Sequence, residues 1–182
     1  MTSMFLKTVR SIALGTLVLN GAIAISASGR TSANTPTANS HLSNRVIQVA
    51  QSTSNTTTME QLIFEQVNKY RAYKGLPALT RNSALDSQSR AHSQNMASGQ
   101  VSFGHQGFDN RIKATSISSK GASENVAYNQ GFPDPATQAI KGWLKSPGHC
   151  SNIEGKFNQT GIGAAINSKG EVYFTQIFVN NR

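Results

Sequence analysis

The chain has 182 residues, 37% of them hydrophobic, with a formal net charge of +9 and a single cysteine. One cysteine excludes an internal disulfide framework, so a folded domain must be stabilised by a hydrophobic core. The basic residues are dispersed and form no recognisable nucleic-acid-reading module. This distribution argues against nucleic acid as the partner and favours an anionic surface, such as lipid headgroups or an envelope polymer.

Residues 1–27 have the features of a secretory signal peptide. Lys7 and Arg10 form a positive n-region, and residues 11–25 are apolar with many small residues, a segment too short for a membrane span. Cleavage is expected after Ala24 or after Ala27. A retained membrane anchor is the alternative. We therefore predict a secreted, periplasmic or cell-envelope protein with no transmembrane domain once the signal is removed.

Residues 28–57 are predicted to be a disordered polar linker. They consist mostly of Ser, Thr, Asn and Gln and contain no acidic residue. Such a segment cannot bury enough apolar surface to offset the entropy lost on ordering. All eight acids lie from Glu60 onward, where they face thirteen Lys and Arg, a net charge of +5 (13 − 8). The folded domain is accordingly predicted at residues 58–182.

Two helices are predicted at the start of this domain. Thr57 and Glu60 have the spacing of a capping box, and Gly75 ends the helix that follows. Asn82 is expected to cap a second helix, which closes at Gly99. The stripes that indicate helical spacing are Leu62, Ile63, Val67 and Tyr70 in the first helix, and Leu85, Ser89, His92 and Met96 in the second. His92 is thus interpreted as a hydrogen-bonded core histidine.

Shorter elements follow. Residues 101–107 read as a loop or short strand carrying His105, residues 109–114 as a helical turn, and residues 124–128 as a short strand or ordered loop. Asp134-Pro135 starts a third long helix, which Pro147-Gly148 ends. Its apolar face consists of Ala136, Ile140, Trp143 and Leu144. Trp143 is therefore interpreted as a core residue.

The C-terminal region predicts a β-hairpin of residues 160–166 and 172–179 with Gly170 in the turn. Both faces of its second strand are apolar, which indicates a central strand covered on both sides. Tyr173, Ile177 and Val179 are expected on one face, and Phe174 and Phe178 on the other. Helices above and below such a sheet give an α+β fold with three α-β-α layers.

Three polar residues from separate segments form the candidate site: His105, Glu124 and His149. Glu124 lies in a run of small and apolar residues, where a carboxylate must find a partner or shift its pKa. A serine nucleophile at Ser146 is not supported, because Pro147-Gly148 separates it from His149 and no orienting acid is evident. Cys150 is either activated by the adjacent His149 or a buried, inert thiol.

An ordered set of motifs resembles the CAP superfamily of cysteine-rich secretory proteins, antigen five and plant pathogenesis-related proteins, in its disulfide-free bacterial branch. The resemblance covers roughly residues 59–182. The motifs are Asn68-x-x-Arg71-x-x-x-Gly75-Leu76-Pro77-x-Leu79, Ala91-His92-Ser93, Gly104-His105, Gly121-x-x-Glu124-Asn125, Trp143, Ser146-Pro147-Gly148-His149-x-x-Asn152-Ile153, Gly161-x-Gly163 and Tyr173-x-x-Gln176-x-Phe178.

The resemblance implies a secreted α-β-α sandwich with a central antiparallel sheet and a cleft. In eukaryotic members that cleft holds two His and two Glu, which can bind a divalent metal. His105, Glu124 and His149 match three of these residues, and Ser146 stands where the family has the second Glu. This departure weakens the expectation of a metal and of catalysis by paired carboxylates.

Two interpretations of the cleft stay open at this point. Two imidazoles and a carboxylate are the ligands of a catalytic zinc site with one free position, which predicts zinc at His105, Glu124 and His149. Alternatively, the three residues form a hydrogen-bonded network that braces the cleft. We interpret the chain as a monomeric extracellular binding or interaction module for a lipid or anionic envelope polymer. The alternative is a metal-dependent hydrolase, a peptidase or esterase, using the same cleft.

Overall fold

The computed structural model describes the backbone of residues 38–182 and the side chains of residues 55–182. The predicted signal peptide and residues 28–37 lie outside the described residues. The elements in chain order are α1 (Ala38–Tyr73), β1 (Thr80–Arg81), α2 (Ser83–Ala97), α3 (Phe108–Ala114), β2 (Gly121–Gln130), α4 (Pro135–Lys145), α5 (Pro147–Glu154), β3 (Gln159–Ile166) and β4 (Glu171–Asn180). Of the described helices, none is both long and apolar enough to cross a bilayer.

Four strands form one sheet in the order β1-β3-β4-β2. β4 pairs antiparallel with β3 and with β2, so it is the central strand, as predicted. The two-residue β1 lies parallel to β3. Gly170 adopts the left-handed region (φ +74°) in the turn between β3 and β4, a conformation that glycine adopts without steric cost.

Helices cover both faces of the sheet. On one face, Ile63 of α1 and Trp143 of α4 belong to the same buried core as Phe174 and Phe178. On the opposite face lies a second cluster, formed by Leu85 of α2 with Ile177 and Val179 of β4, against which Phe108 and Ile112 of α3 pack. The alternation of β4 is as predicted, and the α+β, three-layer α-β-α architecture with a mainly antiparallel sheet is confirmed.

The first helix begins earlier than the sequence predicted. α1 starts at Ala38, so residues 38–57 are helical where a disordered linker was expected, and Thr57 lies inside the helix rather than at its cap. No Gly or Pro occurs between Pro36 and Gly75, so nothing interrupts a helix that has been nucleated in its apolar C-terminal half. The predicted end is confirmed, since α1 stops at Tyr73 and Gly75 has φ +70°.

Pro147-Gly148 was predicted to end a helix, and in the structure this pair also begins a new one. α4 ends at Lys145, as expected, but Pro147 is the first residue of a further helix, α5. Proline suits this position because the first helical N–H has no intrahelical partner. His149 therefore lies on a helix. The two predicted N-caps are confirmed: Asn82 accepts hydrogen bonds from the first turn of α2, and Asp134 accepts one from the Thr137 N–H.

The outer edge of β3 is completed by side chains, because β1 pairs with only two of its residues. The Ile162 N–H donates to Asp86 Oδ1 (2.8 Å), and the Ala164 N–H donates to Glu60 Oε1 (3.2 Å). Glu60 is thus a buried structural anion. This assignment replaces the capping-box role predicted for it.

Two glycines of β3 allow α2 to lie directly on this strand. A Cβ at Gly161 would overlap the backbone of Leu85 and Asp86, and one at Gly163 would overlap that of Ser89 and Arg90. The close approach lets two α2 serines reach the strand carbonyls. Ser89 Oγ donates to Gly161 O (3.2 Å), and Ser93 Oγ donates to Gly163 O (3.0 Å). The Gly161-x-Gly163 motif is therefore a packing requirement of the fold.

Candidate functional site

Glu124 is the buried centre of the site. Its side chain, on β2, is 2% exposed, and both carboxylate oxygens are held by Arg111. Arg111 Nη2 lies 2.7 Å from Oε1 and 2.8 Å from Oε2, and Nε lies 3.0 Å from Oε2. His105 Nδ1 is 3.0 Å from Oε1. The sequence required a partner for this carboxylate, and Arg111 provides it as a bidentate ion pair.

Arg111 is itself fixed by the loop that precedes α3. Its Nη1 donates to Gln106 O at 2.6 Å and its Nη2 to His105 O at 3.5 Å. The Arg111 side chain is only 10% exposed. Carbonyl oxygens on one side and a carboxylate on the other thus hold Arg111 in place, so its charge is a permanent part of the cleft.

His92, on α2, holds the same loop in place through a hydrogen bond. It is buried, and its Nε2–H donates to the carbonyl of Gly104 at 2.8 Å, which fixes the tautomer because a carbonyl can only accept. Burial lowers the pKa of His92. The predicted core histidine is confirmed, and it positions the segment that carries His105.

The two cleft histidines differ in their surroundings. The His105 side chain is half exposed, and within residues 55–182 its Nε2 has no hydrogen-bond partner. His149 is partly buried on α5, and burial, followed by the nearby His105, lowers its pKa. Asn125 Nδ2 donates to His149 O (3.1 Å), which fastens α5 to β2. Both rings can therefore take part in hydrogen bonds to a ligand, His149 as a neutral imidazole.

The residues do not fit a divalent metal in this arrangement. Within the side chains described, no three His, Cys, Asp or Glu residues are grouped closely enough to hold one. Both oxygens of Glu124 are engaged by the guanidinium of Arg111, and Ser146, which lines the neighbouring cavity with His149, supplies no charge. A metal at His105, Glu124 and His149 stays a prediction, and the Arg111 contacts argue against it.

A cavity of about 510 Å³ lies between β2 and α4, beside this cluster. Its lining is mainly apolar or aromatic, with His149 and Ser146 among the polar residues. Trp143 contributes to the lining and is fixed by its Nε1–H, which donates to Val126 O at 2.9 Å. The remaining lining residues are Ala127, Tyr128, Asn129, Gln130, Phe132, Gln138, Ala139 and Gly142. His105 lines a separate surface concavity with residues of α3.

Aromatic side chains are exposed around this region. Tyr128 and Phe132, which line the cavity, are 44% and 46% exposed. The Tyr128 ring packs edge-on against Phe103 (6.4 Å between centroids) and tilted against Tyr173 (5.1 Å). Of the four large apolar side chains exposed among the described residues, only Tyr73 lies elsewhere, on α1.

The sequence did not identify Arg111, Phe103, Tyr128 or Phe132 as site residues. A buried Glu124 predicts a cationic partner, but the sequence offers Lys113 and Lys120 as well as Arg111 and does not distinguish among them. The aromatic residues carried no signal, because nothing local distinguishes an exposed aromatic from a core one. Cys150 lies outside the cavity lining, partly buried, with its Sγ 3.5 Å from Tyr70 Oη.

Comparison with known proteins gives a consistent family. The model of the cysteine-rich secretory protein (CAP) family matches residues 64–178, more than half of the chain. A solved extracellular protein from Bacillus anthracis that contains an SCP domain is 25% identical (TM-score 0.60), with 72% of this chain and 43% of that chain covered. This chain therefore spans less than half of that protein. Comparison with curated protein sequences gives no match.

Two further solved structures share the fold. An outer surface protein from Borrelia burgdorferi is 14% identical with a TM-score of 0.59, and 69% of this chain and 94% of that chain are covered. A cysteine-rich secretory protein from Staphylococcus aureus is 24% identical with a TM-score of 0.55, and the coverage is 69% of this chain and 39% of that chain.

Proposed function

Because the chain belongs to the cysteine-rich secretory protein (CAP) family, we propose that it is a secreted binding module that holds the apolar part of an anionic lipid in the cavity between β2 and α4. The observation that carries the proposal is the exposure of Tyr128 and Phe132 on an apolar-lined cavity of about 510 Å³. The envelope polymer predicted as the other ligand class becomes an outcome of the test below.

The exposed rings favour an apolar ligand. Apolar area contributes about 25 cal/mol per Å² when it is removed from water, so an exposed aromatic cluster is a source of binding energy. Clustered exposed apolar side chains mark interaction sites more often than isolated ones do. Phe103, Tyr128 and Phe132 are such a cluster, and the wall of the cavity includes the indole of Trp143, which is itself 2% exposed.

The charge of the domain supports an anionic headgroup. Residues 59–182 carry a net charge of +5 (13 − 8). Within the described side chains, four of the eight acids are in ion pairs with a Lys or Arg: Glu60, Asp86, Glu124 and Glu154. Each ion pair neutralises one acidic and one basic side chain. The net positive charge therefore lies on the basic side chains outside these pairs, most of which are lysines. Such an excess attracts an anionic surface over about a Debye length.

The alternative of a metal-dependent hydrolase stays a prediction that no observed contact favours. It needs a carboxylate free to bind a metal, whereas Glu124 is engaged by Arg111. A serine route is not favoured either. Ser146 lies between α4 and α5, as the C-cap of the first helix and the N-cap of the second. Among the described side chains, no acid is hydrogen-bonded to the His149 ring.

The test is co-sedimentation of the full-length protein with vesicles of phosphatidylglycerol and phosphatidylcholine, compared with pure phosphatidylcholine. We expect binding to the anionic vesicles and a loss of about tenfold in Phe132→Ser, because one exposed aromatic contributes on the order of 1.5–3 kcal/mol when buried. Tyr73→Ser is the matched control, since it removes an exposed ring outside the cavity.

Three results would count against the proposal. Equal losses in Phe132→Ser and Tyr73→Ser would mean that the cavity is not the site. Failure to bind either vesicle would remove the lipid as ligand. Retention on purified anionic wall polymer without vesicle binding would reassign the module to the polymer.

A further inference from the structure

We propose that Arg111 is the built-in cation of the cleft and that it excludes a divalent metal from His105, Glu124 and His149. The guanidinium takes the position on the Glu124 carboxylate that a metal ion would need. This inference concerns how the cleft is charged, and it does not rest on the lipid proposed above.

The first support is the occupancy of the carboxylate. A metal-ligating Glu must offer a lone pair on at least one oxygen, and both oxygens of Glu124 already accept from Arg111, at 2.7–3.0 Å. Oε1 also lies 3.0 Å from His105 Nδ1. With the Glu124 side chain 2% exposed, a further ligand has no open approach from solvent.

The second support is the charge balance. Glu124 and Arg111 form a neutral, buried pair, which a buried carboxylate requires. A divalent ion bound there would place two more positive charges beside a guanidinium. Ser146, which lines the neighbouring cavity together with His149, brings no negative charge to offset them. The departure at Ser146 and the presence of Arg111 therefore act in the same direction.

The third support is that Arg111 is not free to leave. Its Nη1 donates to Gln106 O at 2.6 Å, and the loop carrying this carbonyl is fastened by the hydrogen bond from His92 to Gly104 O at 2.8 Å. Displacing the guanidinium would expose a buried carboxylate and leave a carbonyl without its donor. A metal would have to compensate for both losses before gaining any affinity.

The test is titration of the full-length protein with zinc chloride. Binding is measured by calorimetry and by changes in the imidazole NMR signals of the histidines. We expect no saturable binding at the cleft in the wild type. Arg111→Met and Arg111→Gln should each bind one zinc saturably, with an affinity about 10- to 100-fold above the upper limit that the titration sets for the wild type, the scale on which groups that contact metal ligands change metal affinity. His105→Ala combined with either variant should abolish the gained binding.

Two results would overturn the proposal. The first is one-to-one zinc binding by the wild type that His105→Ala removes. The second is a folded Arg111→Met or Arg111→Gln variant with no more affinity for zinc than the wild type. Circular dichroism establishes which variants fold, and one folded variant is enough for the comparison with the wild type. If neither variant folds, the wild-type titration alone tests whether the site excludes zinc. Arg111→Lys, which keeps the charge, should remain without zinc.

Discussion

Glu60 of α1 and Arg90 of α2 are joined by a bidentate ion pair, with Arg90 Nη2 2.6 Å from Oε2 and Nε 2.9 Å from Oε1. The two helices lie on opposite faces of the sheet, so the contact passes the outer edge of β3 beyond the two residues that pair with β1. Arg81 Nη2 also donates to Oε2 (3.0 Å), and the Ala164 N–H to Oε1. One buried carboxylate therefore holds two helices and two strands together.

Replacing this carboxylate should destabilise the domain strongly. We expect Glu60→Gln to lower the free energy of unfolding by about 1.5–3 kcal/mol, because it removes charge-assisted hydrogen bonds to Arg81 and Arg90 from a side chain that is 1% exposed. The exposed Glu65, five residues further along α1, is the matched control, and Glu65→Gln should change the free energy of unfolding by less than about 0.5 kcal/mol. Urea unfolding of both variants measures the difference. Equal effects would contradict the structural role of Glu60.

Glycine-to-alanine substitutions should have opposite effects at two positions. Gly163→Ala places a Cβ against the α2 backbone at Ser89 and Arg90, and we expect a loss of about 1–3 kcal/mol, as for other overpacked sites. Gly142 lies inside α4 with open space where a methyl group would point, so Gly142→Ala should gain about 0.5–1 kcal/mol from helix propensity. Thermal unfolding of both checks the signs. A stable Gly163→Ala would contradict the close approach.

Acid should destabilise the fold partly through His92. Burial lowers its pKa below the ordinary value of 6.5, so below that pH the unfolded chain binds more protons than the folded one. The contribution of His92 to stability is therefore complete above about pH 6.5 and is lost as the pH falls towards its folded pKa. His92→Gln keeps a donor for Gly104 O but does not titrate. Its stability should fall less between pH 7 and 5, as urea unfolding would show; parallel curves would contradict this.

Vesicle binding should depend steeply on salt. The basic excess of the domain acts through exposed charges, which are screened as the Debye length falls from about 10 Å at 0.1 M to about 3 Å at 1 M salt. We expect co-sedimentation with phosphatidylglycerol vesicles to weaken over this range in the wild type and in Phe132→Ser alike, since the substitution alters only the apolar contact. Binding that does not change with salt would exclude the electrostatic part of the proposal.

The sequence predicted the elements whose signals are local. The N-caps at Asn82 and Asp134, the helix end near Gly75 and the turn at Gly170 each depend on a few neighbouring residues, and the structure has all of them. The predicted start of α1 was wrong because the polar N-terminal half of this helix was assigned as linker from its composition alone. Composition does not report that an uninterrupted helix can extend outward from a packed segment.

The site was only partly predictable for a related reason. Glu124 needed a cation, but Arg111, Lys113 and Lys120 all lie within thirteen residues of it along the chain, and only the folded loop brings Arg111 to both of its oxygens. His105 could likewise be placed beside Glu124 only through the family resemblance. Contacts between separate segments depend on the packing of the whole domain, which local patterns do not report.

The most direct test of the proposed function uses Trp143, the only tryptophan of the chain and a lining residue of the cavity between β2 and α4. Vesicles containing phosphatidylglycerol with brominated acyl chains quench the emission of a tryptophan that lies close to a bound chain, and Trp143 lies in the cavity wall. We predict quenching of Trp143 emission by the full-length protein's bound lipid, weakened in Phe132→Ser and retained in Tyr73→Ser. Vesicle binding with unchanged Trp143 emission would contradict the assignment of this cavity as the lipid site.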